Sequence, residues 1–273
     1  GGMPLFDSLC TTFGTAGTGG FAIKNNSIAF YDSVYLESVI TVFMLLFGIN
    51  FNLFYFMLIK NVKAVFKSEE LKVYLLIVIG SIVLISLNIV SMYDGALLDA
   101  FRYASFQVAS IISTTGFSTV DFNLWPSFSK MVILLLMIVG ACAGSTAGGL
   151  KVSRLLVLLK QIKLDIQHLL HPQKVDAIIV DGKLVDKEVV HHICSYFFCF
   201  IFILSTTLLL VSLDNFDLET TIGACFTCLG NVGPGLGLAG PLGNFSMFSD
   251  LSKIFLSFAM LIGRLEIFPI LIF

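Results

Sequence analysis

The chain has 273 residues, of which 57% are hydrophobic and only 12% charged, and its mean hydropathy is +0.95. A soluble globular chain runs ~45–50% apolar and about 25% charged, so here lipid must cover what charge does not. That composition makes an integral membrane protein and excludes a nucleic-acid binder, a secreted disulfide scaffold and a disordered segment; the formal net charge of −2 says nothing about partners.

Apolar runs lie near 34–59, 73–92, 128–160, 190–213 and 251–273, each reaching the ~20 residues of a spanning helix. Between them stand shorter segments near 4–17, 96–114 and 217–230, rich in Phe, Ser, Thr, Ala and Cys, and each runs into a glycine-bearing turn. They are too short to cross a bilayer. Irregular backbone at membrane depth is tolerated where it lines a cavity, so these segments are expected to be re-entrant half-helices. Residues 60–72 and 151–188 hold eleven of the sixteen basic residues, which predicts that both are cytoplasmic. The turns then face the other side, among Asp32, Glu37, Asp94, Asp99, Asp121, Asp214, Asp217 and Asp250. An acidic rim there would gather cations, although any single one of these residues reads equally well as a solvated loop charge.

The three turns form an internal repeat: Thr15-Ala16-Gly17-Thr18-Gly19-Gly20-Phe21, Ile112-Ser113-Thr114-Thr115-Gly116-Phe117 and Leu229-Gly230-Asn231-Val232-Gly233-Pro234-Gly235. Pairing Gly19 with Gly116 and Gly233 makes the unit a helix, a pore loop and a helix, with the first copy lacking its leading helix. A dehydrated monovalent cation needs several oxygens at close range, and a ring of backbone carbonyls supplies them. Glycine provides the dihedrals such a ring requires, and a branched Thr or Val beside it (Thr18, Thr115, Val232) adds stiffness. Half-helices ending at the turns would aim their negative C-terminal dipoles at the same point.

In the run from Met131, the small residues Ala143 to Gly149 break a membrane helix before a basic continuation at Lys151. They are too dense and too central for close packing alone, and a broken helix beneath a filter makes a flexible constriction. Arg264 lies deep in the last run, where a charge is costly and faces water or a bundle interior; it would repel cations below the turns or, alternatively, snorkel. Glu266 at i+2 does not face it. Two glycine patterns mislead. Gly235-x-Gly237-x-x-Gly240 has no βαβ unit around it, and Gly144 to Lys151 carries Leu150 where a phosphate loop would not. The six cysteines, Cys10, Cys142, Cys194, Cys199, Cys225 and Cys228, sit among apolar or small residues and read as packing groups.

These motifs resemble the Trk/Ktr/HKT superfamily of potassium transporters, and within it the TrkH-type membrane subunits. The residues that carry the resemblance are Ala16 to Phe21, Ser113 to Phe117, Gly140 to Lys151, Gly230 to Gly237 and Gly263 to Phe268. The resemblance implies an all-α membrane fold of helix–pore loop–helix units around one pore, of which residues 1–59, 73–170 and 190–273 would be the second, third and fourth, joined by cytoplasmic loops 60–72 and 171–189. By this resemblance the family's first unit is not among residues 1–273. The resemblance further implies potassium uptake across the cytoplasmic membrane. Its ion-binding filter positions are Thr18, Gly19, Gly20, Thr114, Thr115, Gly116, Asn231, Val232 and Gly233. Its gating positions are Gly144, Ser145, Thr146, Gly148, Gly149, Lys151 and Arg264. A homodimer and a cytoplasmic nucleotide-binding ring of TrkA/KtrA type are the implied protein partners, with no cofactor on this chain and the nucleotide on the ring. A sodium-permeable or sodium-coupled transporter of the same architecture is the alternative. A membrane enzyme would need clustered catalytic groups at depth; His168, His171, His191 and His192 lie in or beside the basic segment without a carboxylate partner inside a span.

Overall fold

Among the described residues, two helices carry the length and apolarity to cross a membrane, Glu69–Tyr93 and Lys187–Asp214. Each includes a short 3-10 extension at its end. The computed structural model describes residues 1–171 and 177–265. Lys174, Glu266 and the rest of the last apolar run to Phe273 lie outside the described residues. In chain order the helices are α1 (Leu5–Ala16), α2 (Val34–Phe47), α3 (Phe51–Leu58), α4 (Val62–Lys67), α5 (Glu69–Ile89), α6 (Leu97–Ile112), α7 (Ser127–Val139), α8 (Val152–Leu170), α9 (Lys187–Val211), α10 (Leu218–Gly230) and α11 (Asp250–Leu265). A small hairpin, β1 (Ile179–Val180) and β2 (Lys183–Leu184), lies between α8 and α9.

The expected half-helices are α1, α6 and α10, and each stops at its turn. The two central ones are buried toward their C-terminal ends, where they meet the turns: every residue from Phe106 to Thr115 is buried, as are Ala224, Cys225 and Cys228 of α10. Around them the apolar clusters form two main bodies, one of α5, α6 and α7 and one of α9, α10 and α11, with Cys142, Cys225 and Cys228 as packing atoms. A third, smaller cluster joins α2 to α6 through Met44, Phe106 and Phe117. The outside is equally apolar: Phe198 and Phe202 stand one turn apart on α9, 73% and 72% exposed. Apolar inside and out is what lipid contact requires.

The run 34–59 departs from a single span. It is two helices, α2 and α3, meeting at 92°. Gly48 allows the bend because a Cβ there would stand 2.6 Å from the Tyr74 hydroxyl. Asn50 restarts the helix by accepting the Asn52 N–H at 2.9 Å, and the Gly48 carbonyl, left over at the break, accepts the Cys142 N–H at 3.0 Å. The loop 171–189 likewise holds more than a connection: Asp181 (φ 53°) and Gly182 (φ 77°) turn the β1–β2 hairpin, the left-handed pair a two-residue hairpin needs.

Polar contacts join the segments that leave the three turns. Ser118 N–H donates to Ser27 Oγ, and the Ser118 carbonyl accepts from Ile28 and Ala29. Asn123 makes a two-way pair with Gly237, its Oδ1 accepting the Gly237 N–H at 2.9 Å and its Nδ2 donating to the Gly237 carbonyl at 3.0 Å. A Cβ on Gly237 would also strike Thr220 Oγ1 at 2.2 Å, so the glycines of the fingerprint-like stretch serve this packing.

Candidate functional site

All three half-helices end in the same hydrogen-bonded turn. Thr18, Thr114 and Asn231 are left-handed (φ 49°, 54° and 55°) and donate three residues back, to Thr15, Ile111 and Cys228. The next residues, Gly19, Thr115 and Val232, donate five residues back, to Gly14, Ser110 and Thr227, at 2.8, 2.9 and 3.0 Å. This is the Schellman closure of a helix, in which glycine ordinarily takes the left-handed position. Here two β-branched threonines take it, at a strain of about 1–3 kcal/mol each. Positive φ returns two residues later at Gly20 (65°), Gly116 (89°) and Gly233 (112°). The repeat therefore pairs Gly20, not Gly19, with Gly116 and Gly233. The expected register was off by one in the first copy because Gly19 and Gly20 are both glycine and the left-handed residue is not.

The turns lie edge to edge. A Cβ on Gly20 would stand 1.7 Å from the Thr115 carbonyl oxygen, and one on Gly116 would stand 2.3 Å from that of Val232. Gly233 has only the Gly116 Cα nearby, at 3.6 Å. Glycine is thus required at Gly20 and Gly116 by close backbone approach as well as by conformation. The C-terminal dipoles of α1, α6 and α10 converge on this arc, which favours a cation beside it. On one side, Gly19, Gly20, Thr115, Gly116 and Gly233 line an open cavity of about 360 Å³.

The other side of the arc meets the backbone that interrupts α7 and α8. Residues 140–151 leave the helix and return: Leu150 N–H donates to the Ile138 carbonyl and Val152 N–H to that of Ala141, both at 2.9 Å. Gly140 and Gly149 form the neck, where a Cβ on Gly149 would stand 2.9 Å from the Gly140 Cα. The excursion touches every left-handed residue of the arc. Thr18 Oγ1 donates to the Thr146 carbonyl at 3.0 Å, Gly148 N–H donates to Thr114 Oγ1 at 2.8 Å, and a Cβ on Gly148 would lie 3.4 Å from the Asn231 Cβ. Gly144 packs on Asn50, its carbonyl accepting the Phe51 N–H at 3.1 Å, so the excursion's first turn rests on the α2–α3 elbow. Ser145 Oγ donates back to the Cys142 carbonyl at 2.6 Å.

A cavity of about 150 Å³ adjoins the excursion, lined by Ser145, Thr146, Gly148 and Gly149 together with Lys151, Arg154, Tyr196 and Arg264. Lys151 Nζ donates to the Ala147 carbonyl at 2.8 Å, and Arg264 Nη2 reaches the Gly17 carbonyl at 3.4 Å, one residue before the first left-handed threonine. Gly263 lets α11 come this close, since a Cβ there would stand 2.0 Å from the Leu229 carbonyl oxygen. The Asn231 side chain donates to the Met260 carbonyl at 2.9 Å, tying the third turn to α11. Every expected site residue thus falls on the arc, the excursion or this cavity. Arg154, whose guanidinium lies 4.0 Å over the Tyr196 ring, was missed; its spacing of three from Lys151, at the start of a helix, was the available signal.

The supports at the far side of the arc are electrostatic. Asp217 caps α10, accepting from Thr220 N–H at 3.0 Å and Thr220 Oγ1 at 2.6 Å, and the hydroxyl holds its carboxyl below the usual carboxylate range. Glu37 of α2 pairs with Arg102 of α6 at 3.2 Å, and Tyr31 donates to Asp7 at 2.6 Å. Burial first, and Asp7 second, push the Tyr31 phenol up to about 12.

Comparisons with known proteins agree on one family. The family model described as TrkH, cation transport protein, matches residues 1–273. The Trk system potassium uptake protein TrkG of Escherichia coli K12 is 34% identical over 99% of the chain, and TrkH of Salmonella typhimurium LT2 is 32% identical over 99%. The crystal structure of the potassium transporter TrkH from Vibrio parahaemolyticus superposes with a TM-score of 0.90 at 32% identity, covering 99% of this chain and 58% of that one. The chain spans about half the length of the curated relatives it matches, 56% of each of the two. With a family match over its whole length and a shared helical architecture, the chain belongs to the TrkH family of cation transport proteins.

Proposed function

We propose that this chain supplies three sides of a potassium-conducting pore in a transporter of the cytoplasmic membrane. The observation that carries the reading is the arc itself: three identical helix closures, packed backbone to backbone at the convergence of three helix dipoles, with a cavity on either side. In this reading Thr18-Gly19-Gly20, Thr114-Thr115-Gly116 and Asn231-Val232-Gly233 form the filter. Their carbonyls replace the hydration shell of the potassium ion, which is the substrate. The relatives named as potassium uptake proteins support the choice of ion.

The excursion 140–151 is the gate. It lies against the arc from the opposite side to the open cavity, and it is held by hydrogen bonds that can exchange for water. Lys151, Arg154 and Arg264 put cationic side chains around the cavity beneath the arc, an electrostatic barrier to a permeating cation. The lysine-rich end, residues 60–72 and 151–188, faces the cytoplasm. It is the docking surface for a nucleotide-binding regulatory ring, and the transporter works as a homodimer; both statements rest on the family resemblance.

The test is flux through the complete transporter reconstituted in liposomes, with potassium and sodium followed separately under an imposed gradient. Potassium passing with sodium excluded is the expected result. Equal sodium flux would move the protein to a sodium-permeable form of the same pore, and absence of cation flux in an inserted, folded protein would overturn the reading. In the same assay Arg264→Ala raises flux or loosens gating; unchanged flux across ion concentrations removes Arg264 from the barrier.

A further inference from the structure

The first turn of α5 carries two adjacent acids that point to different parts of the molecule. Glu69 looks toward the hairpin. Its side chain pairs with Lys160 of α8, its N–H donates to Asp181 Oδ1 at 2.6 Å, and Lys160 also donates to the Ile179 carbonyl at 2.5 Å. Glu70 looks inward and is only 8% exposed. Its Oε1 accepts the Ala143 N–H at 2.6 Å, and the Asn50 side chain and the Ser153 N–H face this carboxylate.

Those partners come from three places: the start of the excursion, the α2–α3 elbow and the first turn of α8. Among the described residues no ion pair includes Glu70. A buried carboxylate satisfied by neutral dipoles alone costs desolvation that a neutral amide of the same shape would avoid. What the charge adds is a strong acceptor for the Ala143 N–H, at the one point where the Asn50 side chain of the elbow and the first turn of α8 also meet it. Helix capping of α8 would account for Ser153 alone. It does not account for Ala143 or Asn50.

We infer that Glu70 is a positioning residue that holds the entrance of the 140–151 excursion against the elbow. We infer also that the first turn of α5 links this hold to the β1–β2 hairpin through Glu69. A displacement of the hairpin shifts the α5 N-terminus, and with it the acceptor on which Ala143 rests. The hairpin is then the element through which an event at the lysine-rich face reaches the excursion. This inference rests on the reading of the excursion as the gate.

The experiment uses the complete transporter in liposomes with Ser145→Cys as a reporter, modified by a charged thiol reagent and compared with the same protein lacking that substitution. Glu70→Gln is expected to raise both the modification rate and potassium flux by about five-fold or more, the lower end of usual coupling between sites. The potassium-to-sodium ratio stays unchanged because the arc is untouched. Asp181→Ala, at the exposed hairpin turn, shifts both in the same direction by less. A purely structural Glu70 would lower yield and thermal stability and leave flux per folded protein and the reporter's modification rate where they were, which overturns the inference. If Glu70→Gln does not accumulate in the membrane, Asn50→Ala carries the same expectation and its failure overturns the inference in the same way. Deleting 145–147 in the parent separates the two levels. Raised flux there with no effect of Glu70→Gln overturns the Glu70 role and leaves the gate; no change of flux there overturns the gate and this inference together.

Discussion

The arc of turns and the excursion beneath it are both non-helical backbone in the middle of an apolar bundle, yet they are held in opposite ways. The arc is held by backbone against backbone: Gly20 on the Thr115 carbonyl and Gly116 on that of Val232. The excursion is held at its tip by single side-chain hydrogen bonds, from Thr18 to the Thr146 carbonyl, from the Gly148 N–H to Thr114 and from Lys151 to the Ala147 carbonyl, and by the stitched ends at Ile138 and Ala141. Backbone contacts without room for a Cβ cannot rearrange in small steps. A few hydrogen bonds worth about 0.5–1.5 kcal/mol each can be traded for water. The difference separates a part that must keep its dimensions from a part that can move.

Substitutions at the arc should break this contrast most sharply. Gly20→Ala and Gly116→Ala are expected to abolish cation uptake and to cost at least about 1–3 kcal/mol in overpacking, read by uptake in cells and thermal stability in detergent. Gly233→Ala, with its nearest neighbour at 3.6 Å, meets only the strain of its φ of 112° and is expected to be the mildest of the three. Equal losses at all three would mean that conformation, not close approach, sets the arc. Next in size is Gly149→Ala at the neck of the excursion. It is expected to raise leak at normal insertion, whereas loss of conduction as complete as at Gly116 would erase the distinction between the two regions.

Smaller still is Thr114, which belongs to both. Thr114→Ala keeps the left-handed strain that the threonine already carries and leaves the buried Gly148 N–H without its acceptor, an expected destabilisation of about 1–3 kcal/mol. Thr114→Asn, the residue type found at the equivalent Asn231, tolerates the left-handed conformation and should recover part of it. A lack of difference between the two in melting temperature would show that strain at this position is not felt.

The smallest effect concerns Asp217. Its carboxyl is held low by Thr220, so its contribution is complete above the unfolded carboxylate value of about 3.9 and is lost as pH falls through the lower folded value. Asp217→Asn should therefore flatten the stability profile only below about pH 4, and a change confined to neutral pH would contradict the assignment.

Much of this was legible in the sequence. The half-helices were readable from short polar-flecked segments ending at glycine, and the excursion from the density of small residues between Ala143 and Gly149. Length and hydropathy could not reveal the elbow, because a single glycine at Gly48 in an apolar run does not announce a bend; the bend depends on Tyr74 and Cys142 from other helices. The hairpin was available in the Asp181-Gly182 pair, a strong local turn signal that went unused inside a segment read for its charge. Glu70 was hidden for another reason. An acid in the turn that follows Ser68 looks like ordinary helix-start chemistry, and Ser68 does cap Leu71; only the tertiary fold brings Ala143 to it. Arg154 had a local signal in its spacing from Lys151, but its relation to Arg264 exists only across the cavity.

The backbone-to-backbone seating of the arc also bears on how such a protein can change over generations. When a side chain collides with a side chain, a smaller neighbour can relieve the damage. A residue larger than glycine at Gly20 meets a carbonyl oxygen, which no codon can shrink. Second-site suppressors of such lesions should therefore lie outside the neighbouring turn, in helices such as α2 or α7 whose repacking can shift a whole turn as one piece. The innermost part of the molecule is open to inheritance only through its scaffolding.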